Sequence, residues 1–221
     1  MKNIALIGGG TQASYTIDII EKEGRFKIIG IIDSEKVIGS YICGYRIIGR
    51  QENIKKLQEQ YEFDTGIISV GDNWTRKAIF DSIKLVDPDF VFCSTLHPSV
   101  IVGNNVEIGI GVVAMAGCIF NPMAKIGDFT FFATRASIEH DCQISDFASV
   151  SAGSTLGGFV NIGKYSAITL GVTIVDRVSI GENTVVGSGS LVTKSLPDNV
   201  LAYGSPARVM RQRNTGERFL K

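Results

Sequence analysis

The sequence predicts two fused architectures: an open α/β unit with a parallel sheet over residues 1–96, and a parallel β-helix of hexapeptide repeats over residues 97–195, closed by a capping tail at 196–221. Three observations predict this. Strand-like and helix-like segments alternate through the first 96 residues, the pattern of a parallel sheet with covering helices. From Val102 to Val192 every sixth residue is apolar, sixteen times without an insertion. Ile-Gly pairs at 108, 126, 162 and 180, with Ile144-Ser145 between them, add a second period of 18.

The elements follow in order. Ile4–Ile7 is a short buried strand, and Ala13–Glu23 is a helix with Ala13, Ile17 and Ile20 on one face. Phe26–Asp33 is the next strand, Gln51–Tyr61 a polar helix, and Thr65–Val70 a third strand. Helix-like Trp74–Lys84 and strand Phe90–Leu96 complete the unit. Its first strand runs into Gly8-Gly9-Gly10-Thr11-Gln12-Ala13, which satisfies G-x-G-x-x-A, and Asp33 ends the second strand. Gly8 permits a tight turn, and Gly10 lets backbone N–H groups approach a phosphate at a helix N-terminus. Asp33 is placed to accept a hydrogen bond from a ribose or base. Ninety-six residues hold half a dinucleotide fold, enough for a mononucleotide. A second ligand-facing turn is Gly71-Asp72-Asn73-Trp74, at the carboxyl end of the third strand. A lone tryptophan there reads first as packing and only second as a stacking platform.

In the second half the apolar sixth residues run Val102, Ile108, Ala114 and onward. At 44% apolar composition, chance gives this run roughly once in 10⁵. Two residues before each, the side chain is small or β-branched, as at Cys118, Ala124, Thr130 and Ala136. Three hexads make one coil of a triangular prism, and five coils at ~4.8 Å give a rod about 25 Å long. Periodicity gives the prism but not its hand. Thirteen of the 25 glycines fall in residues 97–195, and seven of those occupy the site after the inward residue, read as a backbone requirement of the coil corners.

Composition bounds the function. Lys plus Arg equals Asp plus Glu at 22 each, so no global field favours nucleic acid or acidic lipid. Four cysteines without a CxxC pair read as a reducing compartment. The opening MKNIALIGGG is too short an apolar run for a signal-peptide core, and no run reaches transmembrane length. A soluble cytoplasmic protein is expected.

The repeat, with the tail Gly204-Ser205-Pro206-Ala207-Arg208, resembles the left-handed β-helix acyltransferases. Adding the N-terminal GGG unit, Ser94-x-x-His97-Pro98 and Ile138-Glu139-His140-Asp141-Cys142 narrows this. The chain resembles, over essentially its whole length, the sugar N/O-acyltransferase family, whose members acetylate nucleotide-linked 4-amino-deoxysugars or sialic acids. The resemblance implies a Rossmann-like unit that holds the nucleotide, acetyl-CoA as co-substrate, no metal, and a homotrimer with active sites between subunits. It implies N-acetylation of a nucleotide-linked 4-amino-4,6-dideoxyhexose for a bacterial surface glycan or glycoprotein. O-acetylation of a sugar such as sialic acid and a non-catalytic nucleotide-sugar-binding scaffold are the alternatives.

The chain has two histidines. His97 lies in a Leu-His-Pro turn and reads as junction structure. His140 follows the inward Ile138 by two, near a coil corner; its neighbours one coil away are Pro122 and Gly158, which leave open surface beside the imidazole. Acyl transfer to an amine needs a base, and histidine, with an ordinary pKa of ~6.5, suits it. The resemblance gives Asp141 the task of orienting the ring, with Glu139 competing. Cys142 is inward and reads as core. Carried over by position, the acetyl-CoA contacts are Ser149 (histidine in some relatives), the backbone at Leu170, and Ser188. The substrate contacts are Gly10, Thr11, Gln12, Asp33, Ser34 and Gly71. Lys164, Lys194, Arg208, Arg211 and Arg213 are candidates to meet the donor's phosphates, and the segment RVMRQR is expected as a short helix over the last coil.

Overall fold

The computed structural model describes residues 1–219. Its N-terminal unit runs β1 (Lys2–Ile7), α1 (Gln12–Glu23), β2 (Phe26–Ile32), β3 (Tyr41–Ile42), β4 (Tyr45–Gly49), α2 (Ile54–Tyr61), β5 (Thr65–Ile68), α3 (Asn73–Val86) and β6 (Val91–Phe92). The sheet order is β3-β4-β2-β1-β5-β6, parallel throughout except for the β3–β4 hairpin. Ile4–Ile7 in the central strand are fully buried, as a strand covered on both faces requires. Ala13, Ile17 and Ile20 of α1 pack inward as their spacing predicts. The hairpin at Tyr41–Gly49 has no counterpart in the sequence reading. Its signal was the Cys43-Gly44 turn, where both residues have positive φ (47° and 83°), the geometry of a tight hairpin. The expected single strand Phe90–Leu96 is two pieces, because β6 belongs to this sheet and Thr95–Leu96 to the next structure.

From Thr95–Leu96 to Leu191–Val192, seventeen two-residue strands (β7 to β23) wind into a left-handed parallel β-helix with three flat faces. The first face contains Thr95–Leu96 and every third strand after it; the second starts at Ile101–Val102 and the third at Glu107–Ile108. Inward residues such as Phe120, Phe132, Ile138 and Val150 are fully buried. Backbone φ is positive at every sixth residue from Asn105 to Gly189, fifteen times, ten of them at non-glycine residues. The glycines after the inward residues stand elsewhere, and for a different reason. A Cβ at Gly127 would lie 2.8 Å from the Asp146 nitrogen, and one at Gly103 would lie 2.7 Å from that of Pro122. Glycine is needed there because the next coil passes too close for a side chain, not because the corner turns left-handed.

The α/β unit lies on the first face. Outward residues of that face (Val113, Ser149, Ala167 and Val185) are buried, whereas Glu107, Lys125, Gln143, Asn161 and Ser179 on the third face are exposed. Val113 and Met115 share one apolar cluster with Ile17 and Ile20 of α1. Beyond the coils, β24 (Val200–Gly204) extends the first face and β25 (Ala207–Gln212) pairs with it antiparallel. RVMRQR is thus mostly strand, not helix. The exposed edge of β22 offers unpaired backbone groups that another strand satisfies and a helix does not.

Candidate active site

His140 and Asp141 occupy the corner between the second and third faces, after the strand Ser137–Ile138. Asp141 is one of the positive-φ residues (58°), a conformation aspartate tolerates better than most side chains. It places Oδ2 2.8 Å from His140 Nδ1. Glu139 turns instead toward Ser137, 3.5 Å from its hydroxyl. With Nδ1–H donated to Asp141, Nε2 carries the free lone pair of the neutral ring. The ring lies on Gly158, where a Cβ would be 2.8 Å from both Cε1 and Nε2. Phe159 meets its edge at a centroid distance of 5.2 Å and 88°, and Arg177 stacks on the other ring at 4.3 Å. The imidazole is therefore fixed, half exposed, and aimed outward. Beneath it Cys142 is fully buried, and burial pushes its thiol up to about 11, so it is no nucleophile near neutral pH.

A second site forms where α1 and α3 begin. A cavity of about 500 Å³ is lined by Gly10, Thr11, Gln12, Ser34 and Gly71. Gly8, with φ 102°, makes the turn, and a Cβ there would strike Val70 at 2.6 Å. A Cβ at Gly10 would meet nothing within 4 Å, so the backbone is open to a ligand. No side chain of the described residues caps the start of α1. Gln12 Nε2 is buried without a partner among the described residues. Asp33 does not line the cavity. Its carboxylate takes the N–H groups of Gly9 (2.6 Å), Glu35 and Lys36 (2.8 Å each), binding the glycine turn to the β2 loop. Partial burial pushes this carboxyl up, but the N–H groups of Lys36, Gly9 and Glu35 outweigh it and leave it below the usual range. Asp72 caps α3 by accepting from Thr75 N at 2.9 Å. Trp74 packs, stacked on Tyr165 at 4.1 Å with Nε1 donating to Asn183.

The residues carried over for the donor lie on the first face and at its corner with the second. Leu170 and Ser188 stack one coil apart at the corner between the first and second faces, both exposed. Ser149 points outward on the first face, which the α/β unit covers; it is 2% exposed, and its hydroxyl has no partner among the described residues. Arg211 and Arg213 turn onto Glu217, and Lys164 pairs with Asp146 at 3.1 Å. His97 Nδ1 accepts the Ser99 N–H, as a junction residue would. No group of three or more metal-ligating side chains occurs among the described residues.

Two features escaped the sequence reading. Arg76 is fully buried between the units, donating to the carbonyls of Val70, Gly71, Phe129, Phe147 and Ala148 and to Asn73 Oδ1. Burial pulls its guanidinium down to about 9 against the opposing charge of Asp72, and it remains a cation at neutral pH. The tail also returns to the cavity: Phe219 N–H donates to Asp72 Oδ2 at 3.2 Å, and Arg218 joins the lining. An unused signal for the first of these was present. Outward positions 18 apart are apolar or small on the first face and polar on the third.

Within the chain, the face under the α/β unit is opposite the corner that carries His140. The cavity and the imidazole thus sit on opposite sides of the prism.

The PglD N-terminal domain family matches residues 3–83. The chain is 25% identical over 212 residues to GDP-perosamine N-acetyltransferase of Escherichia coli O157:H7, covering 93% of this chain and 84% of that one. It is similar to the structure of PerB from Caulobacter crescentus in complex with CoA and GDP-perosamine, with 30% identity, a TM-score of 0.88, and coverage of 96% and 98%. It is also similar to the acetyltransferase domain of PglB from Neisseria gonorrhoeae FA1090 in complex with acetyl coenzyme A, with 25% identity, a TM-score of 0.85, and coverage of 95% and 99%.

Proposed function

The chain belongs to the sugar N-acyltransferase family, enzymes that use acetyl-CoA, and from that premise we propose that it acetylates the 4-amino group of a nucleotide-linked 4-amino-4,6-dideoxyhexose with His140 as general base. The observation that carries this reading is the 2.8 Å contact of His140 Nδ1 with Asp141, which leaves Nε2 basic and facing outward over Gly158. The relatives support the substrate class: one is named for acting on GDP-perosamine, and another was solved with CoA and GDP-perosamine.

The neutral sugar amine attacks the thioester carbonyl, forming the C–N bond while the carbonyl π pair moves to oxygen. The nitrogen then bears a surplus proton, which His140 Nε2 accepts as the adduct forms; Asp141 stabilises the resulting imidazolium. Collapse of the oxyanion breaks the C–S bond, and the imidazolium proton passes to the departing thiolate. Amide and CoA thiol are the products, and no covalent enzyme intermediate is needed.

The nucleotide half and the base half come from different copies in this reading. In one chain they lie on opposite sides of the prism, so a sugar held at Gly10–Gln12 meets the His140 of a neighbouring copy. A closed homotrimer supplies three such pairs by symmetry.

The test is acetyl transfer by the purified protein from acetyl-CoA to GDP-, UDP- and dTDP-linked 4-amino-4,6-dideoxyhexoses, with free sialic acid as the competing acceptor. Amine acetylation is expected. His140→Ala is expected to lower kcat by about 10²–10⁴-fold with an unchanged melting temperature. Turnover of the hydroxyl acceptor alone, or a fully active His140→Ala, overturns the reading.

A further inference from the structure

We propose that the C-terminal segment is a strap that places Arg218 as a phosphate-binding residue of the nucleotide cavity. The inference rests on reading that cavity as the nucleotide site. Three features of the structure support it.

The first is charge. The cavity is lined by the carboxylates of Glu35 and Asp72, and among the described lining residues Arg218 is the one cationic side chain. A nucleoside diphosphate brings at least two negative charges to this space. The start of α1 offers backbone N–H groups and a partial positive charge, but no side-chain cation. Arg218 supplies the missing charge, in the planar geometry that binds phosphate oxygens in pairs.

The second is how the strap is held. Arg213 is buried, with Nε donating to Asn183 O at 3.2 Å. Asn183 also donates to Asn214 O at 3.0 Å and accepts from Trp74 Nε1 at 2.9 Å. Glu217 accepts from Arg211 at 2.6 Å and from the Asn214 N–H at 3.2 Å, closing the turn that precedes Arg218. The chain therefore reaches the cavity along a fixed route from β25.

The third is the far anchor. Phe219 N–H donates to Asp72 Oδ2, whose Oδ1 caps α3, so the strap and the cavity wall share one carboxylate. Arg218 lies between the Glu217 and Asp72 anchors and is an exposed residue of the cavity lining.

The experiment measures Kd by calorimetry for GDP, UDP and dTDP, then for the monophosphate and nucleoside of whichever base binds most tightly, with wild type, Arg218→Ala and Arg218→Gln. Arg218→Ala is expected to weaken the diphosphate by about 10-fold and to leave the nucleoside unchanged, with an unaltered melting temperature. Arg218→Gln is expected to behave like Arg218→Ala, since charge is what the site lacks. An equal loss for nucleoside and diphosphate, or no loss at all, overturns the proposal. Failure of the wild type to bind any of the three diphosphates below 1 mM overturns the reading of the cavity and the proposal with it. Binding without acetyl transfer overturns the enzymatic reading alone, while Arg218 stands or falls on its ratio.

Discussion

His140 owes its setting to three neighbours: Asp141 at Nδ1, Phe159 at the ring edge and Gly158 beneath. Gly158 has no positive φ, so alanine is compatible with its backbone, and the only penalty is the collision of a Cβ with the imidazole at 2.8 Å. The ring is the movable partner and must shift. Displacements of about 1 Å at a reacting group cost roughly 10²-fold in rate. Gly158→Ala is therefore expected to lower kcat by about that factor while the melting temperature changes little. Steady-state kinetics beside thermal unfolding checks it; a proportionate loss of stability and activity contradicts it. At this scale the sequence was informative. The adjacency of His140 and Asp141 and the vacancy at Gly158 were readable from an 18-residue stack, because coils repeat in register. The choice of Asp141 over Glu139 was not, since it depends on which side chain the positive φ at 141 turns toward the ring.

At the scale of elements, α3 is joined to the prism by Arg76. Its six acceptors lie on the loop before α3, on Asn73 and on the coils at Phe129, Phe147 and Ala148. Truncation leaves buried carbonyls without donors and opens a void, so Arg76→Ala is expected to destabilise the fold by about 3–5 kcal/mol, measured by urea denaturation. A change below about 1 kcal/mol contradicts this role. The strap makes a pH prediction. Hydrogen bonding from Arg211, with help from the Asn214 N–H and the charge of Arg213, holds the Glu217 carboxyl at about 2, below its ordinary 4.5. A depressed carboxyl contributes stability that is fully present above the ordinary value and is lost as pH falls through the folded one. The melting-temperature gap between wild type and Glu217→Gln is expected to be constant above pH 4.5 and to shrink toward pH 2. A gap that persists at pH 2 assigns the effect to packing instead.

For the whole molecule, the placement of cavity and base on opposite sides of the prism predicts complementation. Gly10→Trp places a bulky side chain at the cavity, at a position where a Cβ meets nothing within 4 Å, and His140→Ala removes the base. Each homomeric variant is expected to be inactive. If every site combines two copies, the whole population of assemblies from equal co-expression carries both intact halves at roughly one quarter of its sites. Acetyl transfer near a quarter of the wild-type rate is the expected result. No recovery indicates that one chain supplies both halves.

The sequence by itself determined what local repetition encodes. The hexad period gave the prism and its inward residues, the strand–helix alternation gave the parallel sheet, and Gly8-Gly9-Gly10 gave the open turn at α1. Each of these is a property of residues within one coil or one turn of each other. Only the tertiary structure decided which face the α/β unit covers, and with it the burial of Ser149, the caging of Arg76 and the return of the tail to Asp72. These join residues about 50 to 150 positions apart, where no period links donor to acceptor, and their outcome is set by which surfaces exclude water when the two units meet.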